Sequence, residues 1–109
     1  MRWKRSMGNR YILFPKAKED LENIFYYIAI ELVNQEAASE LINKFESKFN
    51  ELLLFPISYP LVESKLIYEI DLRKCMVENY IILYFYNVKD KLVEIVRVIY
   101  SKVDYLQDL

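Results

Sequence analysis

The sequence has no histidine and only one cysteine, Cys75, among its 109 residues. Histidine is the most common general acid or base and the most common metal ligand, so its absence excludes a His-dependent catalytic triad and a Cys/His zinc site. A lone cysteine forms no internal disulfide, which favours a reducing cytoplasm. We interpret Cys75 as a small apolar core residue rather than a nucleophile, because no histidine is present to activate its thiol.

Glycine, proline and long apolar runs are also scarce. One Gly and three Pro in a chain that is 54% hydrophobic indicate a globular protein. No apolar run approaches the roughly 20 residues that a membrane span requires. The first ten residues are basic and lack the apolar segment of a signal peptide. We therefore expect a cytoplasmic protein that makes no membrane contact and needs no metal or other cofactor.

Charge is nearly balanced overall but unevenly distributed. The net charge is −1 and the pI about 5.5, which argues against a general nucleic-acid binder. Positions 1–16 hold five basic residues and no acid, whereas 17–54 are mainly acidic. We divide the chain into a basic N-terminal arm, 1–9, most simply a solubilising tail, and a single domain, 10–109. The acids of 17–54 are interpreted as solvated faces of helices.

Apolar residues recur with helical spacing in two successive segments between Ala17 and Pro56. Asn34 separates the segments and is suited to cap the second helix, and Pro56 ends it. A short connection between two amphipathic helices predicts an antiparallel helical hairpin. The two stripes consist of Leu21, Ile24, Phe25, Ile28 and Leu32, then Ala38, Leu41, Ile42, Phe45, Phe49, Leu52 and Leu53.

Four segments have strand-like patterns. The run Tyr80–Tyr86 is apolar throughout and predicts a central strand covered on both faces. Residues 92–100 alternate, and the polar turn between these two strands is expected to exceed two residues. Shorter strands are predicted at 10–14 and 66–72. The order β-α-α-β-β-β predicts an α+β fold, a small, mainly antiparallel sheet with the helical hairpin packed on one face.

Arg97 lies within the last of these strands, among Val and Ile. Alternation places it on one face with Val93, Ile95 and Ile99. A buried charge without a partner is costly, so two hypotheses arise. Either Arg97 forms a structural ion pair across the sheet, or it binds an anion on a concave surface. The carboxylates available for the ion pair are Glu94, Glu69 and Asp71.

Several stretches together resemble the RelE/ParE superfamily of bacterial type II toxin–antitoxin toxins. They cover most of the chain after the basic arm, and their order and spacing carry the resemblance. They read A-x-x-D-L-x-x-I-x-x-Y-I from Ala17, A-A-x-x-L-I from Ala37, L-x-x-F-P from Leu52, L-R-K from Leu72, N-Y-I-I-L-Y from Asn79, and V-E-I-V-R-V-I-Y-S-K-V-D-Y from Val93.

This resemblance implies a compact toxin that a cognate antitoxin holds inactive, within a toxin–antitoxin hetero-oligomer. The helix pattern favours the ParE-like branch, whose members inhibit DNA gyrase. Two alternatives remain open. One is a RelE-like, metal-independent endoribonuclease that cuts mRNA on the ribosome, and the other is a degenerate, non-toxic interaction domain.

In the nuclease branch, basic and aromatic residues near the C-terminal end of the sheet are functional. The resemblance carries this role to Arg73, Arg97, Tyr100 and Lys102, and secondarily to Tyr105. Many relatives have His where Tyr100 stands and a second Arg near Val103, and both departures argue against nuclease activity. An ordinary tyrosine pKa near 10 also makes Tyr100 a poor acid or base. Glu69 and Asp71 share a strand face, where a solvated or salt-bridged edge is the simpler interpretation than metal chemistry.

Overall fold

The computed structural model describes residues 8–62 and 71–102, and it confirms the α+β class and the order β-α-α-β-β-β. The strands form one sheet in the order β1-β4-β3-β2, in which β1 is parallel to β4 and the other pairs are antiparallel. A π-helical turn, Tyr27–Glu31, follows the first helix. The elements are β1 (Arg10–Leu13), α1 (Pro15–Tyr26), α2 (Gln35–Leu54), β2 (Leu72–Val77), β3 (Tyr80–Asn87) and β4 (Leu92–Tyr100).

The two helices begin at residues whose local chemistry accounts for their starts. Proline occupies the first position of α1, where its missing N–H costs nothing, so α1 starts two residues before the predicted Ala17. The side chain of Asn34 caps α2 by accepting a hydrogen bond from the N–H of Ala37 at 3.0 Å, as predicted. Within the described ranges, no helix is both long and apolar enough to cross a bilayer.

The core lies mainly between the helices and one face of the sheet. The α2 stripe is buried there as predicted, with Phe45 and Phe49 against Ile82, Tyr84 and Ile95. A smaller cluster occupies the opposite face, so β3 is buried on both faces, as expected of a central strand. Its members are Leu72, Ile81, Leu83 and Ile99, with Val62 and Val96 packed against them.

Strand β4 departs from the simple alternation that its sequence predicts. Arg97 pairs with Leu83 and Ile95 pairs with Tyr84, so Val96 is an extra residue in a β-bulge. Beyond the bulge Val98 faces the helices and Ile99 faces the other way. The predicted grouping of Ile95 and Ile99 on one face is therefore wrong.

The strand that precedes β3 extends beyond the predicted range, 66–72. The predicted strand, 66–72, lies outside the described residues except for its last two, and β2 begins only at Leu72. Arg73 and Lys74 concealed β2, because charged residues are typical of an edge strand and not of a core strand. The outer edge of β2 is partly occupied, since Leu61 bridges to Arg73.

Candidate functional site at the end of strand β4

Arg97 forms a forked ion pair with Asp20 of α1. Its Nε donates to Oδ2 at 2.8 Å and its Nη2 donates to Oδ1 at 3.1 Å. Both side chains are only 11% exposed. Such a planar fork is the geometry that guanidinium and carboxylate groups prefer. The structural ion pair that the sequence raised as one hypothesis therefore exists, with a carboxylate from α1 instead of the sheet.

Asp20 performs a second task at the same place. Strand β1 ends at Leu13, opposite Ile95, and within residues 8–62 and 71–102 the outer edge of β4 has no strand partner beyond that point. Oδ2 of Asp20 accepts a hydrogen bond from the backbone N–H of Val98 at 2.9 Å. One carboxylate thus accepts hydrogen bonds from a guanidinium and from a backbone N–H at the edge of the sheet, and it links α1 to β4.

Arg73 is also engaged within the fold. Its Nη1 donates to the carbonyl oxygen of Tyr59 at 2.7 Å. Its register partner on β3, Tyr84, donates its hydroxyl to the carbonyl oxygen of Pro56 at 2.8 Å. Both side chains therefore hold the connector that follows α2, and burial raises the pKa of Tyr84.

The aromatic residue at the end of β4 belongs to a cluster. The ring of Tyr100 is half-exposed and lies 5.6 Å from the ring of Tyr80, which in turn lies 5.7 Å from Phe45. Burial, and then the nearby Tyr100 and Tyr27, raise the pKa of Tyr80. Lys102 is exposed in the turn that follows β4. Tyr105 lies outside the described residues, as does Glu69.

The two candidate arginines do not converge on one surface. Asp20 of α1 holds Arg97 at the outer edge of β4, whereas Arg73 lies two strands away on β2 and donates to the carbonyl oxygen of Tyr59. Cys75 is buried, and burial raises the pKa of its thiol to about 12, so it is not a thiolate at neutral pH. Among residues 8–62 and 71–102, no cluster of acidic or sulfur ligands could hold a metal ion.

Asp20 is the residue of this site that sequence reasoning missed. It was assigned to a solvated helix face, and that assignment is wrong. Two observations pointed to it. It stands next to the apolar stripe at Leu21, and it is the acidic residue of the first stretch in the superfamily resemblance.

The fold and this ion pair define the class of the protein, a small α+β domain in which a helical hairpin packs on one face of a mixed sheet. The fold is similar to that of a solved protein from the chromosomal ParDE toxin–antitoxin system of P. aeruginosa, with a TM-score of 0.64 and 18% identity over 85% of this chain and 96% of that chain. At this identity the likeness establishes the fold alone. No curated protein matches the sequence.

Residues 11–105 match the sequence profile of the ParE toxin of the type II toxin–antitoxin system parDE, and the chain belongs to that family. The resemblance to the RelE/ParE superfamily is thus confirmed, with the ParE branch favoured. A type II toxin is one half of a pair, so membership gives this chain an antitoxin as its partner.

Proposed function

We propose that this protein is a cytoplasmic toxin that arrests growth by binding DNA gyrase, and that its antitoxin neutralises it within a hetero-oligomer. One observation carries the choice against RNA cleavage. The two arginines that a nuclease would use are engaged inside the fold, Arg97 with Asp20 and Arg73 with the carbonyl of Tyr59. A binding toxin needs no assembled catalytic group, and the match to the ParE family supports this mode of action.

A groove along the helices supports the antitoxin part of the proposal. It has a volume of ≈ 290 Å³ and lies between β1, α1 and α2, with Glu22 and Glu46 among its lining residues. Its apolar lining is suited to a segment that presents alternate or helically spaced apolar side chains. Burial, and then Glu46, raise the pKa of Tyr11 in the groove. The acids favour an antitoxin segment that also carries Lys or Arg.

The domain boundary is part of the proposal. We propose that 10–109 form the toxin domain and that 1–9 are an appended basic arm. Asn9 lies at the junction, where its Nδ2 donates to the carbonyl oxygen of Leu53 and its Oδ1 accepts from the hydroxyl of Tyr86. Removal of residues 1–7 is therefore expected to retain both folding and growth arrest.

Two activity assays on the purified protein test the mode of action. In one, gyrase supercoils relaxed plasmid in the presence of the protein, and in the other, translating ribosomes carry a defined mRNA. We expect inhibited supercoiling, intact mRNA, and reversal by the product of the adjacent antitoxin gene. Cleaved mRNA with unaffected gyrase would overturn the proposal. A protein that is inert in both assays and harmless in cells would be the degenerate interaction domain.

A further inference from the structure

The turn between the two helices exposes an unusual set of large apolar side chains. We call residues 26–33 the hairpin tip. Five of its side chains are 55% to 85% exposed. Isolated exposed apolar residues are normal, whereas clustered ones usually mark a binding surface. Leu32, which the sequence placed in the buried stripe, is among them. The members are Tyr26, Tyr27, Ile30, Leu32 and Val33.

The backbone of the hairpin tip is irregular at the same residues. Residues 27–31 form a π-helical turn, and the N–H of Leu32 donates to the carbonyl oxygen of Tyr27 at 3.1 Å. Val33 has φ +50°, a left-handed conformation that is strained for a β-branched residue. Glycine or asparagine would fit there without strain. The chain carries an exposed valine instead, and π-helical turns and strained backbone concentrate at functional sites.

The sequence on either side of the hairpin tip carries charge of one sign. Residues 19–43 contain six carboxylates and no Lys or Arg. Within that window, Glu31 and Glu36 lie beside the apolar residues and are exposed. An acidic rim repels nucleic acid and anionic lipid, and it also repels the same surface of a second copy. The complementary surface is one that surrounds an apolar centre with Lys and Arg.

The shape of the hairpin tip further restricts the partner. Its side chains project from the turn of a helical hairpin, so the surface is convex, unlike the groove between β1 and the helices. A convex apolar knob buries its area when it enters a concave site on a folded protein, whereas an extended segment binds in a groove. The antitoxin segment and the hairpin tip therefore have different geometric requirements.

We propose that the hairpin tip is the surface through which this toxin engages its cellular target, an apolar cleft rimmed by Lys and Arg on a folded protein. This inference rests on the proposed function, in which the toxin acts by binding a protein. It deepens that function by naming the contact surface and the chemistry of the partner site. Ile30 is the central test residue, because Tyr26 also lines the groove assigned to the antitoxin.

Ile30 has a matched control in Ile57, since both isoleucines are 64% exposed. Ile30→Ser and Ile57→Ser are compared for growth arrest, for inhibition of purified gyrase holoenzyme, for binding of the cognate antitoxin, and for melting temperature. We expect Ile30→Ser to raise the half-inhibitory concentration about tenfold or more, as loss of an interface hot spot does. Antitoxin binding and melting temperature should stay at wild-type values, and Ile57→Ser should behave as wild type.

A charge reversal, Glu31→Lys, provides a second variant that leaves the apolar side chains in place. It should weaken growth arrest and gyrase inhibition, and both effects should shrink as salt rises, because ionic screening removes the repulsion. Ile30→Ser that arrests growth as strongly as wild type would overturn the inference. Loss of antitoxin binding together with toxicity would assign the tip to the antitoxin and would also overturn it.

A different result would refute the proposed function without refuting the role of the hairpin tip. Wild-type protein that arrests growth but leaves gyrase active would refute gyrase as the target. The role of the hairpin tip is still decided in that case, because growth arrest by Ile30→Ser is compared with growth arrest by Ile57→Ser. Equal potency of the two variants would refute it, and selective loss in Ile30→Ser would support it.

Discussion

Two regions of the molecule depart from the rule that charged side chains are exposed and apolar ones buried. They are the ion pair between Asp20 and Arg97, and the hairpin tip. At the first, two full charges lie within the fold, each 11% exposed. At the second, five large apolar side chains lie in contact with solvent. The buried charges pair with each other, and the carboxylate of Asp20 accepts three hydrogen bonds, two from the guanidinium and one from the backbone N–H of Val98. The exposed apolar groups remain more than half exposed, although the ring of Tyr26 contacts that of Phe25 at 5.8 Å.

This difference separates structural from functional residues. A buried ion pair in which each charge has its partner has a structural role, and the removal of one partner lowers the stability of the fold. An exposed apolar cluster on a strained turn contributes little to folding and lowers solubility, and on this ground we propose that it binds a partner. The sequence left Arg97 open between a structural ion pair and an anion-binding residue, whereas the structure directs attention to the turn between the helices.

The largest expected effect is at the ion pair. Asp20→Ala removes both hydrogen bonds to the guanidinium and leaves the N–H of Val98 without its acceptor, so it should lower the free energy of unfolding by about 3–5 kcal/mol. Urea denaturation measures this value. Glu19→Ala is the control on the same helix, because its partner Lys16 and Glu19 itself are both exposed, and its stability should stay close to wild type.

A double-mutant cycle sharpens this prediction. Arg97→Ala alone should also be strongly destabilising, and Asp20→Ala with Arg97→Ala should cost less than the sum of the two single changes. Additive losses would show that the two side chains are not coupled. An Arg97→Ala variant that keeps its melting temperature but no longer arrests growth would return Arg97 to a functional role.

The next largest effect on stability is expected at an uncharged polar group, the hydroxyl of Tyr84. Tyr84→Phe removes the hydroxyl that donates to the carbonyl oxygen of Pro56 and keeps the ring in the core, so stability should fall by about 1–2 kcal/mol. Thermal unfolding measures the loss. Tyr26→Phe removes a hydroxyl at an exposed position and should leave stability unchanged. Equal effects of the two changes would show that the bond to the connector contributes nothing.

At the hairpin tip the sign should reverse. Val33→Gly relieves a left-handed conformation that costs an L-residue about 1–2 kcal/mol, against the greater unfolded-state entropy of glycine, about 0.5–1 kcal/mol. The net expectation is a small gain in stability together with weaker growth arrest. Val88→Gly, at an exposed turn valine outside the left-handed region, should lower stability. A destabilised Val33→Gly would mean that the valine packs within the fold after all.

The last effect is absent at neutral pH and is confined to alkaline solution, where the pH dependence of stability should change at Cys75. Burial raises the thiol pKa from 9.0 to about 12. The folded-state value lies above the unfolded one, so the stabilisation is complete below pH 9 and is lost as the pH rises toward 12. Denaturation of Cys75→Ala at a series of alkaline pH values should therefore show a shallower decline than wild type. Parallel curves for the two proteins would contradict the burial of a neutral thiol.

Periodicity predicted the features that depend on near neighbours. The stripe of α2, the cap at Asn34 and the turn between β3 and β4 were all correct, since each depends on residues a few positions apart. The bulge at Val96 gave no compositional signal, because an extra valine in a strand of valines and isoleucines looks like any other. Asp20 and Arg97 are 77 positions apart, beyond the reach of any local pattern.

The structure departs from the sequence-based predictions at β2 and at the hairpin tip, and both differences also reflect the limits of local pattern. Strand β2 carries two adjacent cations, Arg73 and Lys74, which are tolerated in an edge strand but interrupt the alternation of apolar and polar residues that predicts a strand. The exposed tip was merged into a buried stripe, because Leu32 has helical spacing while the backbone has already left the α-helix. Local spacing describes which residues are able to share a face, and only the three-dimensional fold determines what covers that face.

The strand order has a consequence for how the molecule comes into existence. Strand β4 is the last of the described strands to be synthesised, yet it lies inside the sheet between β1 and β3. Before β4 is synthesised, β1 lacks its strand partner in the sheet and Asp20 lacks its ion-pair partner, Arg97. The early part of the chain therefore depends on contacts with residues far away in the sequence. Pairing between segments so distant in sequence slows folding. A ribosome that stalls before residue 92 therefore releases a product without a central strand, and a folded toxin exists only when translation of β4 is complete.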